Sequence, residues 1–167
     1  MLIDCSYFTS GPRFILNASM GTMPNPNAEE VCRSIAGHIA AHQELFLLRM
    51  LGDEMGERMQ KYIAERDYSH IPEEPMEAVA EKLCEPFADY VFFQILRENA
   101  DQATITGLVR LKSANEHVSP LRRQVTVWNS MVEKNRRFAA WARSSACPVA
   151  GITVSEQMLT KINTLNI

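Results

Sequence analysis

A chain of 167 residues, 46% hydrophobic and 22% charged, has the composition of one globular domain rather than of a disordered chain. The formal net charge of −3 gives no sign of nucleic-acid binding. No segment approaches the roughly 20 apolar residues that a membrane helix needs, and the first residues lack the charged start and apolar stretch of a secretory signal. We therefore expect a protein that is not secreted, located in a cytoplasm or in a particle built there.

The four cysteines, Cys5, Cys32, Cys84 and Cys147, are scattered along the chain. They form no C-x-x-C pair, and no histidine stands beside them at zinc-finger spacing. The sequence therefore predicts free thiols, with Cys84 as a small buried residue of a helix.

Residues 1–27 are predicted to form an irregular arm, because glycines and prolines interrupt any long regular element. Its apolar residues need cover, so we expect the arm to lie across a helix or a neighbouring subunit. Asn27 and Glu30 then have the spacing of a helix cap and its return partner. The first helix is predicted to end near Gly52, and Met55, Met59 and Ile63 mark a shorter second helix.

The third helix is predicted to begin after Pro75 and to end near Asn99. Apolar residues recur in it every four positions, which makes it the most buried helix; they are Val79, Leu83, Phe87, Val91 and Ile95. Residues 104–112 alternate in polarity and predict a short strand or β-hairpin arm. Ser119 and Pro120 have the residue types that cap and open a last long helix, predicted to end at Cys147 and Pro148.

The predicted fold is all-α: a bundle of about four helices with an extended or hairpin arm between the last two long helices. Residues 28–147 form its helical domain, and residues 148–167 form a tail short enough to be donated to a neighbour. The last helix also carries a four-three apolar seam, interrupted by Asn135, that suits packing against another helix.

The charges are unevenly distributed along the chain. Residues 1–109 hold 8 Lys and Arg against 17 Asp and Glu, whereas residues 110–143 hold 8 against 2. One interpretation is that the acidic part of one copy meets the basic helix of the next. The other is that the two parts neutralise each other within one monomer.

The sequence contains no recognisable catalytic motif. His38 and His42 stand four apart on one helix face, as two zinc ligands would, but Ile39 replaces the glutamate of a zinc protease and no third ligand is evident. Glycine-rich phosphate loops and activated nucleophiles are also missing. We therefore expect no enzyme activity, cofactor, metal or small-molecule substrate.

The order of several segments resembles a known family. They are residues 43–52 (QELFLLRMLG), the YVFF helix from Tyr90 that ends in Arg97, Glu98 and Asn99, residues 104–109 (TITGLV) and residues 128–132 (WNSMV). Over residues 28–143 this order is similar to that of the small helical head-to-tail connector proteins, also called head completion or adaptor proteins, of tailed bacteriophages and prophages. The resemblance implies a structural assembly subunit that forms a homo-oligomeric ring between the portal protein and a tail-side connector. It implies assembly in the host cytoplasm, then a place at the head–tail junction, with non-specific proximity to DNA in the lumen.

The interface predicted on this basis lies in the arm and the last helix. It comprises Ile105, Val109, Arg110, Lys112, Arg122, Arg123, Trp128, Arg136 and Arg137. Trp128 and Phe138 are expected to anchor helix packing, and the arginines to contact an acidic neighbour or face the lumen. The alternative is a small intracellular helical adaptor or regulatory protein, dimeric through the last helix.

Overall fold

The computed structural model describes residues 1–18, 26–65, 75–98, 101–104, 107–110 and 120–165, with the backbone alone at 101–104, 107–110 and 120. Four α-helices dominate: α1 (Pro26–Leu51), α2 (Asp53–Glu65), α3 (Pro75–Glu98) and α4 (Pro120–Ala142). Single 3-10 turns occur at Cys5–Phe8, Gly11–Arg13 and Glu156–Leu159, and two short strands are β1 (Asp101–Thr104) and β2 (Gly107–Arg110). The predicted all-α helical bundle is confirmed.

The predicted end of α1 at Gly52 is confirmed, and the backbone explains it. Gly52 adopts a φ of +82°, a conformation that favours glycine, and its amide donates to the Leu48 carbonyl at 2.9 Å. The chain then enters α2 at once, and Gly56 is buried against Leu48. A Cβ on Gly56 would lie 2.9 Å from the Leu48 Cα, so glycine permits this close crossing of α1 and α2.

Helix α3 is the most buried helix, as its apolar stripe predicts. Val79, Leu83, Phe87 and Val91 are each fully shielded from solvent. Helix α3 packs on α1 and on α4, whereas α2 packs chiefly on α1. The packing order is therefore α2–α1–α3–α4, with α3 inside the bundle.

Aromatic rings join three of these helices across the core. The Phe46 ring of α1 lies 4.9 Å from that of Phe87 and 5.4 Å from that of Tyr90, both on α3. Trp128 of α4 extends this row of rings: its ring lies 6.4 Å from that of Tyr90 and 4.9 Å from that of Phe93. These tilted contacts fix α4 on α3 and add to the hydrophobic gain from burying the rings.

The backbone between α3 and α4 contains an antiparallel strand pair. Asp101 pairs with Arg110 and Thr104 with Gly107, so the two strands lie in register over four residues each. The predicted arm, residues 104–112, overlaps this pair in part, while residues 105, 106, 111 and 112 lie outside the described residues.

Helix α4 ends at Ala142, five residues before the predicted end at Cys147. The amide and hydroxyl of Ser144 both donate to the Trp141 carbonyl, at 2.9 and 2.7 Å. A serine that binds the backbone in this way competes with helix continuation, which accounts for the early stop.

The C-terminal tail packs on its own chain. The Trp128 indole donates to the Thr160 carbonyl at 2.9 Å, and the Asn135 amide donates to the Met158 carbonyl at 2.8 Å. Further along, the Ser155 amide donates to the Arg49 carbonyl at 2.8 Å, which ties the tail to the end of α1. The middle of the predicted seam of α4, from Trp128 through Asn135 to Ala139, is therefore buried under α3 and the tail within one chain, whereas Leu121 at its start is exposed.

The prediction of free thiols is wrong for Cys5 and Cys32, which form a disulfide between the N-terminal segment and α1. Their sulfur atoms each lie 3.3 Å from the Ala18 carbonyl oxygen. Cys84 and Cys147 are not part of a disulfide within the described residues, and both are half-buried. Sequence spacing carries no signal for this pair, because the fold of residues 1–18 against α1 creates it.

None of the helices in the described ranges combines the length and the apolar character that crossing a bilayer requires.

We predict that reducing the disulfide, or the variant Cys32→Ser, lowers the free energy of unfolding by about 2–4 kcal/mol. The cross-link joins residues 27 positions apart and so restricts the unfolded chain. Urea unfolding with and without dithiothreitol measures the effect, and Cys147→Ser, which removes a free thiol, is the matched control. Coincident curves for the reduced and oxidised protein would contradict the prediction.

Candidate assembly surfaces and the buried charge cluster

A buried carboxylate on α3 binds the N-terminal segment and α4 together. Asp89 has a side chain only 5% exposed, and it contacts the Arg13 guanidinium at 2.8 Å and the Lys134 ammonium at 2.7 Å. The Ser130 hydroxyl donates to its second oxygen at 3.3 Å. Glu85, one turn earlier, accepts from Arg13 at 2.9 Å and from Lys134 at 3.2 Å. These five residues are called the Asp89 cluster below.

The Asp89 cluster lowers the pKa of Glu85, its more exposed carboxylate. The hydrogen bond from Arg13 holds the pKa of Glu85 below its ordinary value. Burial opposes that shift, and Lys134 adds to it. The carboxylate of Glu85 is therefore stabilised in its charged form in the folded protein.

Part of the acidic and basic charge is thus paired within one chain, as the second interpretation of the charge pattern holds. Lys134 of the basic helix is committed to Glu85 and Asp89 on α3. Glu133 pairs with Lys161 of the tail at 2.6 Å and with Arg136 at 3.6 Å.

Other basic groups of α4 remain on the surface. Arg122 and Arg137 are exposed, and within the described residues their guanidinium groups make no hydrogen bond or ion pair. Arg123 is also exposed, but it lies 4.9 Å over the Phe92 ring and donates to the Pro12 carbonyl. Arg136 donates to the Leu159 carbonyl at 3.1 Å. Arg122 and Arg137 are therefore the α4 cations best placed to meet a partner.

Near Arg137, a shallow cavity of about 220 Å³ lies between α3 and α4. The Lys82 ammonium stands 4.9 Å over the Trp141 ring on its wall, in the geometry of a cation–π contact. This end of α4 therefore combines positive charge with aromatic surface.

Helix α2, at the other end of the packing order, has an acidic surface. Asp53, Glu54, Glu57 and Glu65 are all exposed, and the helix also carries Arg58 and Lys61. Only the pair Lys61–Glu65, at 3.9 Å, is an ion pair within the described part of α2. Helix α2 keeps a net negative surface, on a helix that packs chiefly on α1 and not on basic α4.

The predicted interface residues other than the α4 arginines fall into three groups. Ile105 and Lys112 lie outside the described residues. Val109 and Arg110 belong to strand β2, of which the structure describes the backbone alone. Trp128 is buried, and its indole packs on α3 and binds the tail. Its ring anchors helix packing, as expected, but offers no surface to a neighbour.

Phe138 is likewise buried, so its predicted packing role is confirmed.

His38 and His42 both contact Glu98, a residue that their sequence spacing did not predict as a partner. Glu98, the last residue of α3, places one oxygen 3.3 Å from His38 Nδ1 and the other 3.3 Å from His42 Nε2. The two imidazole rings are nearly parallel, with an interplanar angle of 8°. The His42 ring also contacts the buried Tyr90 ring edge to face. Nothing in the sequence indicated that Glu98 joins the two histidines, because Glu98 is 56 positions from His42 in the chain.

A cavity of about 380 Å³ opens between the N-terminal segment and α3. Glu77 on its wall accepts from the Tyr62 hydroxyl at 2.7 Å, and Asp4 accepts from Ser6. Burial, followed by the neighbouring Cys84, raises the pKa of Tyr7 in this cavity to about 12. The phenol therefore stays protonated at neutral pH and is a poor general base.

Comparison of the chain with protein-family models, with curated proteins and with solved structures finds no match.

We predict that Asp89→Asn lowers the free energy of unfolding by about 3 kcal/mol, because it leaves the partly buried Arg13 and Lys134 without their shared charge. Glu85→Gln, at a carboxylate 56% exposed, is the matched control and should cost about 1 kcal/mol or less. Chemical denaturation measures both. Equal losses in the two variants would contradict the central role of Asp89.

We also predict that Glu85 contributes to the fall of the unfolding free energy at acid pH. Its folded-state pKa lies below the unfolded value, so its contribution is fully present above about pH 4.5 and is lost as the pH falls through the folded pKa. Glu85→Gln should therefore flatten the fall in unfolding free energy below that pH. Glu81→Gln, an exposed carboxylate of the same helix, is the control. An unchanged slope in Glu85→Gln would show that Arg13 and Lys134 do not bias this titration.

Proposed function

We propose that this protein is a structural assembly subunit that forms part of the head-to-tail connector of a tailed bacteriophage or prophage. In this role it binds sibling copies, the portal protein and a tail-side connector, and it carries out no catalysis. The sequence resemblance over residues 28–143 supports the identity of the assembly. One structural observation supports the mode of action: the acidic surface of α2 and the basic surface of α4 lie at the two ends of the packing order.

A closed ring needs such an arrangement. Each subunit of a ring contacts its two neighbours through two different surfaces, which must be complementary to each other. Surfaces of opposite charge on α2 and α4 meet this need, because the acidic face of one copy is then able to attract the basic face of the next. Charge pairing inside the chain uses Lys134 but leaves Arg122 and Arg137 for this contact.

The strand pair between α3 and α4 supports a second kind of contact. In the described backbone the sheet has two strands, so β1 and β2 each keep an outer edge. Unpaired strand edges are used to bind another chain by adding a strand, and an isolated two-stranded hairpin is marginally stable on its own. In our proposal one of these strand edges binds the portal or the tail-side connector.

The disulfide is compatible with assembly in the host cytoplasm followed by release of the particle. Disulfides are rare in reducing cytosol and persist on virion surfaces. We propose that the chain assembles in the host cytoplasm with Cys5 and Cys32 as thiols, and that the bond forms in the released particle.

The alternative of an adaptor that dimerises through α4 has less support. Trp128, Val132 and Asn135 of the α4 seam are buried within the chain. A dimer through this seam would have to displace α3 or the tail, at the cost of the aromatic and hydrogen-bond contacts described above.

The test is a charge reversal on the basic surface. The variant Arg122→Glu/Arg137→Glu should assemble at least tenfold more weakly than the wild type, because like charges then face the acidic partner. Native mass spectrometry and sedimentation, with the protein alone and with the portal protein of the same genome, measure ring formation and recruitment. Thermal unfolding should change little, since neither guanidinium makes a hydrogen bond or an ion pair in the described part of the chain and both are exposed.

Two further variants sharpen this test. Arg33→Glu/Arg97→Glu makes the same change in net charge at exposed positions of α1 and α3 and should assemble as the wild type. Adding Glu54→Arg/Glu57→Arg to the α4 variant should restore assembly, because it exchanges the two charges. Normal assembly of the α4 variant would refute the assigned surface. A wild-type protein that is dimeric at all concentrations and ignores the portal would refute the connector function.

A further inference from the structure

We propose that His38, His42 and Glu98 form a binding site for one divalent transition-metal ion, for which Zn²⁺ fits the ligand set best. This inference stands apart from the proposed function, because it rests on a side-chain cluster between α1 and α3 and not on the assembly surfaces.

The helices present the three side chains to one point. Residues four apart lie on the same face of a helix, and the parallel rings of His38 and His42 turn a nitrogen each toward Glu98. The edge-to-face contact with the buried Tyr90 ring holds the His42 ring in this orientation. Glu98 arrives from α3, so the cluster joins two helices that already pack on each other.

Two of the distances in the cluster match those between the ligands of a metal ion. Zinc binds histidine nitrogen and carboxylate oxygen at about 2.0–2.2 Å, so two ligands of a tetrahedral ion are about 3.3–3.5 Å apart. The two nitrogen–oxygen distances here are both 3.3 Å. One ligand atom from each of the three residues lies within 4.8 Å of the others. Side-chain rotations that bring all three ligand atoms to about 3.3–3.5 Å from one another would place an ion between them.

The ligand types select the class of metal. Calcium and magnesium take oxygen ligands almost throughout, whereas imidazole nitrogen suits zinc, copper, iron and nickel. Two histidines and one carboxylate leave at least one coordination position for water or a further ligand. The histidine side chains are about four-fifths shielded, and Glu98 is half exposed, so an ion is able to enter from solvent.

The same contacts also suit a simple pair of hydrogen bonds from two imidazoles to a carboxylate. The two explanations differ in one measurable property. Hydrogen bonds alone give no stoichiometric affinity for zinc, whereas a metal site binds one equivalent and loses affinity when any ligand is removed.

Bound metal would act on the base of the hairpin. Glu98 ends α3, and β1 begins at Asp101. An ion shared between Glu98 and the two histidines of α1 would hold the last turn of α3 on α1.

The experiment titrates the full-length, chelator-treated protein with ZnCl₂ by calorimetry, and with CoCl₂ by absorption spectroscopy as a probe of coordination. We expect one Zn²⁺ per chain, a tetrahedral Co²⁺ spectrum, and slower hydrogen exchange at residues 95–98 on zinc binding. His38→Ala, His42→Ala and Glu98→Gln should each weaken zinc binding by at least about tenfold.

The matched controls remove the same groups elsewhere. His70→Ala/His117→Ala removes the two other histidines, and Glu81→Gln removes an exposed carboxylate of α3. Both should bind zinc as the wild type does. Wild-type affinity no tighter than that of His38→Ala/His42→Ala/Glu98→Gln would overturn the proposal, and so would loss of binding in the His70 and His117 control. Assembly data do not enter this test, so its failure would leave the connector function untouched.

Discussion

The buried carboxylate of Asp89 is the constraint on which the arrangement of the chain depends. A charge almost removed from water is tolerated only when it is paired and hydrogen-bonded, and α3 itself supplies no cation next to it. Arg13 comes from the N-terminal segment and Lys134 from α4. Their pairing with Asp89 joins the N-terminal segment and α4 to the same helix, α3.

This internal pairing also decides which charges are left for other molecules. Lys134 is neutralised inside the chain, whereas Arg122 and Arg137 stay on the surface of α4. The acidic residues of α2 are separated from them by α1 and α3 in the packing order. Within the described residues, the acidic surface of α2 and the exposed arginines of α4 are not paired with each other, so both are left for contacts between copies, which is the physical basis of the proposed ring.

Several features were predictable because they depend on neighbours in the chain. The end of α1 at Gly52 follows from local backbone geometry, and the buried stripe of α3 follows from its period. Other features were missed or wrong because they depend on distant contacts. Cys5 and Cys32 are 27 positions apart, and Arg13 and Asp89 are 76 apart. No local pattern marks such pairs. The stop of α4 at Ala142 is a local feature that was also missed, because it comes from the bonds of Ser144 to the Trp141 carbonyl.

The sequence by itself determined the helices, their order and the unequal distribution of charge, since hydrophobic period, caps and composition are written residue by residue. Tertiary structure alone decided which charges are paired, which cysteines are bonded, and that Glu98 completes a cluster with His38 and His42. The reason is physical: helix formation is governed by interactions over a few residues, whereas a site is made by side chains that only packing brings within a few ångströms.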